Sequence, residues 1–188
     1  EKKNQVEIVA ESSLPVGNAR LTLRYSVSPS GNIHVVSDYD PGSGKRPLLP
    51  RFGMQVKLPQ AMDQVKWYGR GPQETYWDRK TGGEIAVYQS SVDKMVHPYC
   101  RTQDVGNRTD VRWITLVDKS GRGLKFTGDQ PLSVSAWPFT IEDVEAASHP
   151  HQLPRRDFNL ISIDAKLQGV GGDNSWGART HAEYTIPG

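Results

Sequence analysis

Short segments that alternate apolar and polar residues recur along the whole chain, and turn-forming residues interrupt them at regular spacing. In a strand successive side chains point to opposite faces, so such a segment buries one face only. Leu21-Thr22-Leu23-Arg24-Tyr25-Ser26-Val27 alternates strictly and predicts a half-buried strand with Leu21, Leu23, Tyr25 and Val27 inward. Ser28-Pro29-Ser30-Gly31-Asn32 is turn chemistry, and residues 33–39 return as the second arm of a hairpin. Residues 6–10, 51–58, 64–68, 85–88 and 110–117 read the same way, with Phe52, Met54, Val56 and Leu58 on one face. Asp118-Lys119-Ser120-Gly121-Arg122-Gly123 turns into a return strand at 124–128, followed by strands at 132–137, 158–166 and 181–186. Thr140-Ile141-Glu142-Asp143 breaks the pattern and opens one short helix over 140–147, its acids placed to suit the macrodipole. The expected class is all-β, most simply two packed antiparallel sheets.

A chain of 188 residues is one domain by size and buries a core without staples. Its 23 basic and 21 acidic residues are mixed throughout, with a net charge of +2. The lack of a basic stripe argues against nucleic acid and acidic membranes as partners. No apolar run reaches the length of a membrane span, and no signal peptide is visible. The start runs directly into strand-like sequence, as expected of a fragment of a longer polypeptide. The single Cys100 leaves the compartment open and is expected to be a small buried apolar residue.

Two stretches depart from ordinary strand-and-turn sequence. Gly169-Val170-Gly171-Gly172-Asp173-Asn174-Ser175-Trp176-Gly177 has four glycines in nine residues, which permit positive φ and close approach. Asp173, Asn174 and Ser175 supply side chains that bond nearby backbone. Trp176 then has two readings. It is either a core plug that pins the loop or a flat aromatic face on which a sugar ring stacks. The second stretch, Trp67-Tyr68-Gly69-Arg70-Gly71-Pro72-Gln73-Glu74-Thr75-Tyr76-Trp77-Asp78-Arg79, packs four aromatics, two arginines and two carboxylates into thirteen residues. It reads either as an aromatic corner knitted by Arg–carboxylate pairs or as the wall of a sugar cleft.

Catalytic signals are weak. The histidines His34, His97, His149, His151 and His181 lack the usual metal spacings, so no metal or cofactor is expected. There is no Gly-x-Ser-x-Gly elbow, and the glycines at 169–172 lead into strand-like sequence, not the helix of a dinucleotide site. Glycoside hydrolysis needs two carboxyl groups flanking the scissile bond, one with a raised pKa. Glu74, Asp78, Asp104, Asp110, Glu142, Asp143, Glu145 and Asp173 are available, but none has an evidently apolar surround. Asp78 beside Arg79, and Asp110 near Arg112, read as ion pairs.

The 67–79 segment closely resembles the W-x-G-x-G-P-x-E-x-Y-x-D-R segment of bacterial β-galactosidases of glycoside hydrolase family two, and the 169–177 loop resembles their G-x-G-G-D-x-S-W segment. Arg108-Thr109-Asp110-Val111-Arg112-Trp113 and Ser148-His149-Pro150-His151 are similar to two further segments, in the same order. The resemblance implies the last domain, or small chain, of such an enzyme: a β-super-sandwich like that of the galactose mutarotases. It implies that the catalytic glutamates lie on a separate (β/α)₈ barrel, so this chain has no catalytic residue of its own. It further implies that Trp176 stacks on the galactoside in the outer, aglycone subsite while Asp173 and Asn174 shape its loop. The expected partners are therefore a galactoside and the barrel of the same enzyme, with self-association through unpaired sheet edges. Where the family often has P-Q-E-x-G, this chain has Thr102-Gln103-Asp104-Val105-Gly106, which leaves the role of that acid open. The alternative is an independent carbohydrate-binding or mutarotase-like module, which needs an acid and a base in one cleft, such as His149 or His151 facing a carboxylate.

Overall fold

The computed structural model describes residues 4–174 and 176–187; Ser175 of the glycine-rich loop lies outside the described residues. The chain is all-β, with two antiparallel sheets, and divides into two compact units. One comprises the residues up to Leu48 together with Pro187, the other Leu49–Ile186.

The first unit is a three-stranded sheet of β1 (Val6–Leu14), β2 (Ala19–Val27) and β3 (Ile33–Asp40), in that order. Its register sets Val6, Val27 and Ile33 side by side, and likewise Ile8, Tyr25 and Val35. Leu21, Leu23, Tyr25 and Val27 therefore share one face, as their alternation predicts, and all four are half-buried. β1 runs beyond its apolar start to Leu14 because β2 offers it nine consecutive partners. The 28–32 turn closes on Gly31, whose φ of 83° suits only glycine readily and whose N–H donates to the Ser28 carbonyl at 3.0 Å.

The second unit is a six-stranded sheet built from β4 (Arg51–Pro59), β5 (Gln64–Gly71), β6 (Glu84–Ser91), β7 (Arg108–Val117), β8 (Gly123–Trp137) and β9 (Phe158–Leu167), in the order β4-β9-β8-β7-β5-β6. One face forms the core. Val65 and Trp67 of β5, Ile114 and Leu116 of β7, Val134 and Ala136 of β8 and Ile161 of β9 meet there. A single turn of helix, α1 (Val92–Met95), adds Val92 and Met95 to the same cluster. The helix expected after Thr140 is α2 (Ile141–Ala146). Its capping box is complete with an aspartate: the Asp143 N–H donates to Thr140 Oγ1 at 3.2 Å, and the Thr140 N–H to Asp143 Oδ2 at 2.8 Å. Arg156 also pairs with Asp143 and holds its carboxyl down at about 2.

Three local expectations change. The two strands at 124–128 and 132–137 are one continuous β8. The extra residues Gly128-Asp129-Gln130-Pro131 bulge out of β8 opposite the single Arg112 of β7, and β7 carries a smaller irregularity between Arg108 and Val111. Asp110, at the shift, has a φ of 54°. Residues 181–186 are not a strand: Ala182–Tyr184 is a 3₁₀ turn, and only Ile186 bridges, to Leu49. The Thr185 N–H and hydroxyl both return to the Ala182 carbonyl, which closes the turn locally. Cys100 is exposed, not buried. Among the described residues no helix is long and apolar enough to cross a membrane.

Candidate functional site

The segment that leaves β5 is a knitted corner. Trp67 is buried, donates its indole N–H to the Arg70 carbonyl at 3.0 Å, and lies under the Arg108 guanidinium. Burial draws the Arg108 pKa down to about 10, against the opposing charge of Glu74. Arg70 turns back on the loop between β5 and β6. Its Nε donates to Asp110 Oδ2 at 2.5 Å, and its Nη1 to the Gly83 carbonyl at 2.7 Å and the Lys80 carbonyl at 3.2 Å. Burial pushes the Asp110 carboxyl up, but Arg70 and Lys80 together outweigh it and hold the group below its ordinary range. Asp110 thus pairs with Arg70 and Lys80, while Arg112 bonds only its backbone carbonyl. The interior of this corner is structural, as the first of its two readings has it.

At the far end of the corner, Tyr76 and Arg79 exchange both backbone hydrogen bonds, at 3.0 and 2.9 Å, and so bracket Trp77 and Asp78 in a tight turn. Trp77 meets the Tyr184 ring edge-on, at 5.9 Å between centroids. Asp78 is not paired with Arg79. Its Oδ2 accepts the Gly171 N–H at 2.7 Å, which joins the corner to the glycine-rich loop after β9.

That loop is held by its own backbone and short side chains. Gly169 donates to the Tyr184 carbonyl at 2.9 Å and Gly172 to the Ala178 carbonyl at 2.8 Å. Gly171 has a φ of 64°, and a Cβ there would lie 2.7 Å from the Ala178 oxygen, so glycine is required. Asn174 Oδ1 accepts the Trp176 N–H at 2.9 Å, and Asp173 Oδ2 meets His181 Nε2. That contact, chiefly, raises the His181 pKa, with Glu183 and Asp78 adding to it. Trp176 itself is 91% exposed, so the core-plug reading fails. The loop carries Trp176, Asp173 and Asn174, and the fold sets Asp78 and His181 against it.

Beside the corner lies a set of acids: Glu74 and Asp104, half-buried and already among the candidate carboxylates, and the buried Asp164, which sequence reasoning missed. Tyr76 donates to Asp104 Oδ1 at 2.8 Å, and Arg51 reaches Asp104 at 3.5 Å and Asp164 at 3.3 Å. Burial raises the Asp104 carboxyl despite Tyr76 and Arg51, and raises Asp164 to about 6, with Asp104 adding to that effect. Tyr99 donates to Glu74, whose other oxygen accepts the Gly106 N–H at 2.7 Å; burial first, then Glu74, pushes the Tyr99 phenol up to about 12. Asp164 was unreadable because residues 159–164 of β9 are all buried, so alternation does not sort them, and its partner Arg51 lies far off in sequence on β4.

The remaining candidates do not converge. Asp143 serves the α2 cap. His149 Nδ1 lies 3.3 Å from the Cys100 carbonyl, and its ring stacks on His151 at 5.7 Å. A cavity of about 420 Å³ is lined by Tyr99, Val105, Phe139 and Leu153, with no residue of the 169–177 loop. Among the described residues no three His, Cys, Asp or Glu side chains gather as metal ligands would.

The profile of the beta galactosidase small chain family matches residues 1–188. The chain is 39% identical over 181 residues to a beta-galactosidase of Priestia megaterium, covering 96% of this chain and 17% of that protein. It is 38% identical over 187 residues to the beta-galactosidase of Lactobacillus delbrueckii subsp. bulgaricus, covering 98% of this chain and 18% of that one. Against the beta-galactosidase of Streptococcus thermophilus it is 32% identical over 185 residues, covering 97% and 18%. The chain therefore spans under a fifth of the length of these relatives.

The buried acids set a pH dependence. A carboxyl at about 6 in the folded state, against 3.8 in a solvated one, is charged at a cost above pH 6. Stability should rise as pH falls from 7.5 to 5, with Asp104 acting in the same direction. Asp164→Asn should flatten this rise, by an amount on the order of 2 kcal/mol. Urea midpoints at both pH values test it; a wild type that loses stability over this window, or an unchanged slope in the variant, contradicts the assignment.

Proposed function

The chain belongs to the beta galactosidase small chain family, and we propose that it is a non-catalytic domain of a β-galactosidase that completes the substrate site with Trp176. The single observation that carries this reading is an indole held out by its own loop and almost wholly exposed. A large apolar face left in water is expensive unless something covers it. A sugar ring offers a C–H face of matching size, while the indole N–H stays available to a hydroxyl. Asp173 and Asn174 hold the loop in the shape that presents it.

The reaction of the whole enzyme on this reading is hydrolysis of terminal β-D-galactosides. It requires an acid and a nucleophile or base on either side of the bond. Four of the candidate carboxylates are engaged otherwise, Asp110 in the corner, Asp78 on Gly171, Asp143 in a helix cap and Glu74 on Tyr99 and Gly106, while Asp104 and Asp164 share Arg51. The family resemblance assigns the catalytic pair to a barrel elsewhere in the same polypeptide, with Trp176 facing the aglycone side of its cleft. A free-standing mutarotase-like module would need His149 or His151 opposite a carboxylate, whereas His149 rests on a backbone carbonyl. The mutarotase-like super-sandwich is the architecture we assign to the complete domain.

We also infer self-association. β1 and β3 are open edges of one sheet, and β4 and β6 of the other. Open edges recruit strands from other chains. Sedimentation of the isolated chain should show concentration-dependent association, and a strict monomer at high concentration would contradict it. For the site itself, Trp176→Ala in the full-length enzyme should raise KM for a galactoside about tenfold, as loss of an aromatic stacking face implies. The thermal midpoint should not change, since the ring packs on no core. Unchanged KM, or an unfolded variant, would refute the platform role.

A further inference from the structure

We propose that Asp78 is the positioning residue for Trp176: its carboxylate anchors the base of the loop that carries the indole, and so sets the affinity for the galactoside. This rests on the reading of Trp176 as the sugar platform and adds to it a residue from a different part of the fold.

The geometry is specific. Asp78 Oδ2 accepts the Gly171 N–H at 2.7 Å. A hydrogen bond to an ionised acceptor is stronger than one between neutral groups. Asp78 Oδ1 is buried with no hydrogen-bond partner among the described residues, so this carboxylate is spent on the loop. The two glycines of the loop base permit the approach. A Cβ on Gly169 would lie 2.6 Å from Asp78 Cγ, which no packed side chain tolerates. Gly171 needs its positive φ to bring its N–H to the same oxygen. The mount is rigid from the other side too. The paired backbone of Tyr76 and Arg79 fixes Asp78, and Trp77 leans on Tyr184, whose carbonyl accepts the Gly169 N–H. Loop base and corner are therefore joined at two points, and residues 172–174 and 176–177 beyond them are exposed.

Without Asp78 the Gly171 amide loses its partner and the loop samples more backbone states. Glycine-rich segments have more conformational freedom to lose than others. Substrate binding then has to order the loop, which weakens affinity without touching bond cleavage. A positioning role thus appears in KM and not in kcat.

The test uses the full-length enzyme with Asp78→Ala, Asp78→Asn, Trp176→Ala and the Asp78→Ala/Trp176→Ala double variant, assayed on a chromogenic β-galactoside. Asp78→Ala should raise KM several-fold, bounded by the about tenfold rise expected for Trp176→Ala. Its kcat should stay within about twofold. Asp78→Asn keeps an acceptor oxygen for Gly171 and should restore most of the affinity. In the Trp176→Ala background the Asp78 change should add nothing, because residues that act as one unit do not contribute independently. An unchanged KM in Asp78→Ala, no rescue by Asn, or additive effects in the double variant would overturn the proposal. If Trp176→Ala alone leaves KM unchanged, the platform reading fails. The anchor is then judged by hydrogen exchange in the peptide spanning 169–177: faster exchange in Asp78→Ala supports it, and unchanged exchange refutes it.

Discussion

The Arg70 guanidinium is the interaction on which the candidate site depends. The loop from β5 to β6 has no strand to pair with, so its carbonyls need another donor. Arg70 supplies it, with one nitrogen on Lys80 and Gly83 and another on Asp110. Asp110 sits where β7 shifts register, so the same contact ties the loop to the sheet centre. The corner is thereby stiff enough to hold Tyr76, Trp77 and Asp78 at its tip. A lysine would satisfy the charge but not the fork of donors.

From that tip the order of dependence runs outward. Asp78 fixes Gly171, Gly172 closes the loop on Ala178, and Asn174 bonds the Trp176 amide. Each step uses a residue chosen for conformation or for a short polar reach, and none uses the core. This is why a fully exposed tryptophan can be oriented without being packed. Arg51, Asp104, Asp164 and Tyr76 form a second polar cluster, in which Asp164 and Tyr76 are buried and Arg51 and Asp104 half-buried. Arg51 partly neutralises two acids that burial would otherwise leave isolated, and the residual cost appears as raised carboxyl pKa values.

Much of this was legible in the sequence, and the exceptions have physical reasons. Alternation located β2 and β4 and their inward faces, because only a strand sends successive side chains to opposite faces. Thr140 with Asp143 announced α2. The glycines and polar residues of 169–177 announced a surface loop with Trp176 at its tip. What failed depended on partners distant in sequence. Strands at 124–128 and 132–137 read as separate because Gly128 to Pro131 interrupt the pattern, whereas β8 absorbs them as a bulge against β7. Residues 181–186 alternated like a strand but had only Leu49 to pair with. Asp78 and Asp110 were assigned to neighbouring arginines, whereas their partners lie 93 and 40 residues away. Short-range reading sees the charge and not the topology that decides where it is spent.

The central claim is that the 169–177 loop presents the Trp176 indole to a galactoside bound elsewhere in the same enzyme. It is tested most directly by a crystal structure of the full-length polypeptide with a bound galactoside. The account predicts the indole face against the aglycone-side ring at van der Waals distance, about 3.5–4 Å between carbon atoms. It also predicts that Gly171 remains bonded to Asp78. An indole turned away from the bound sugar, or packed into a neighbouring domain, would contradict it.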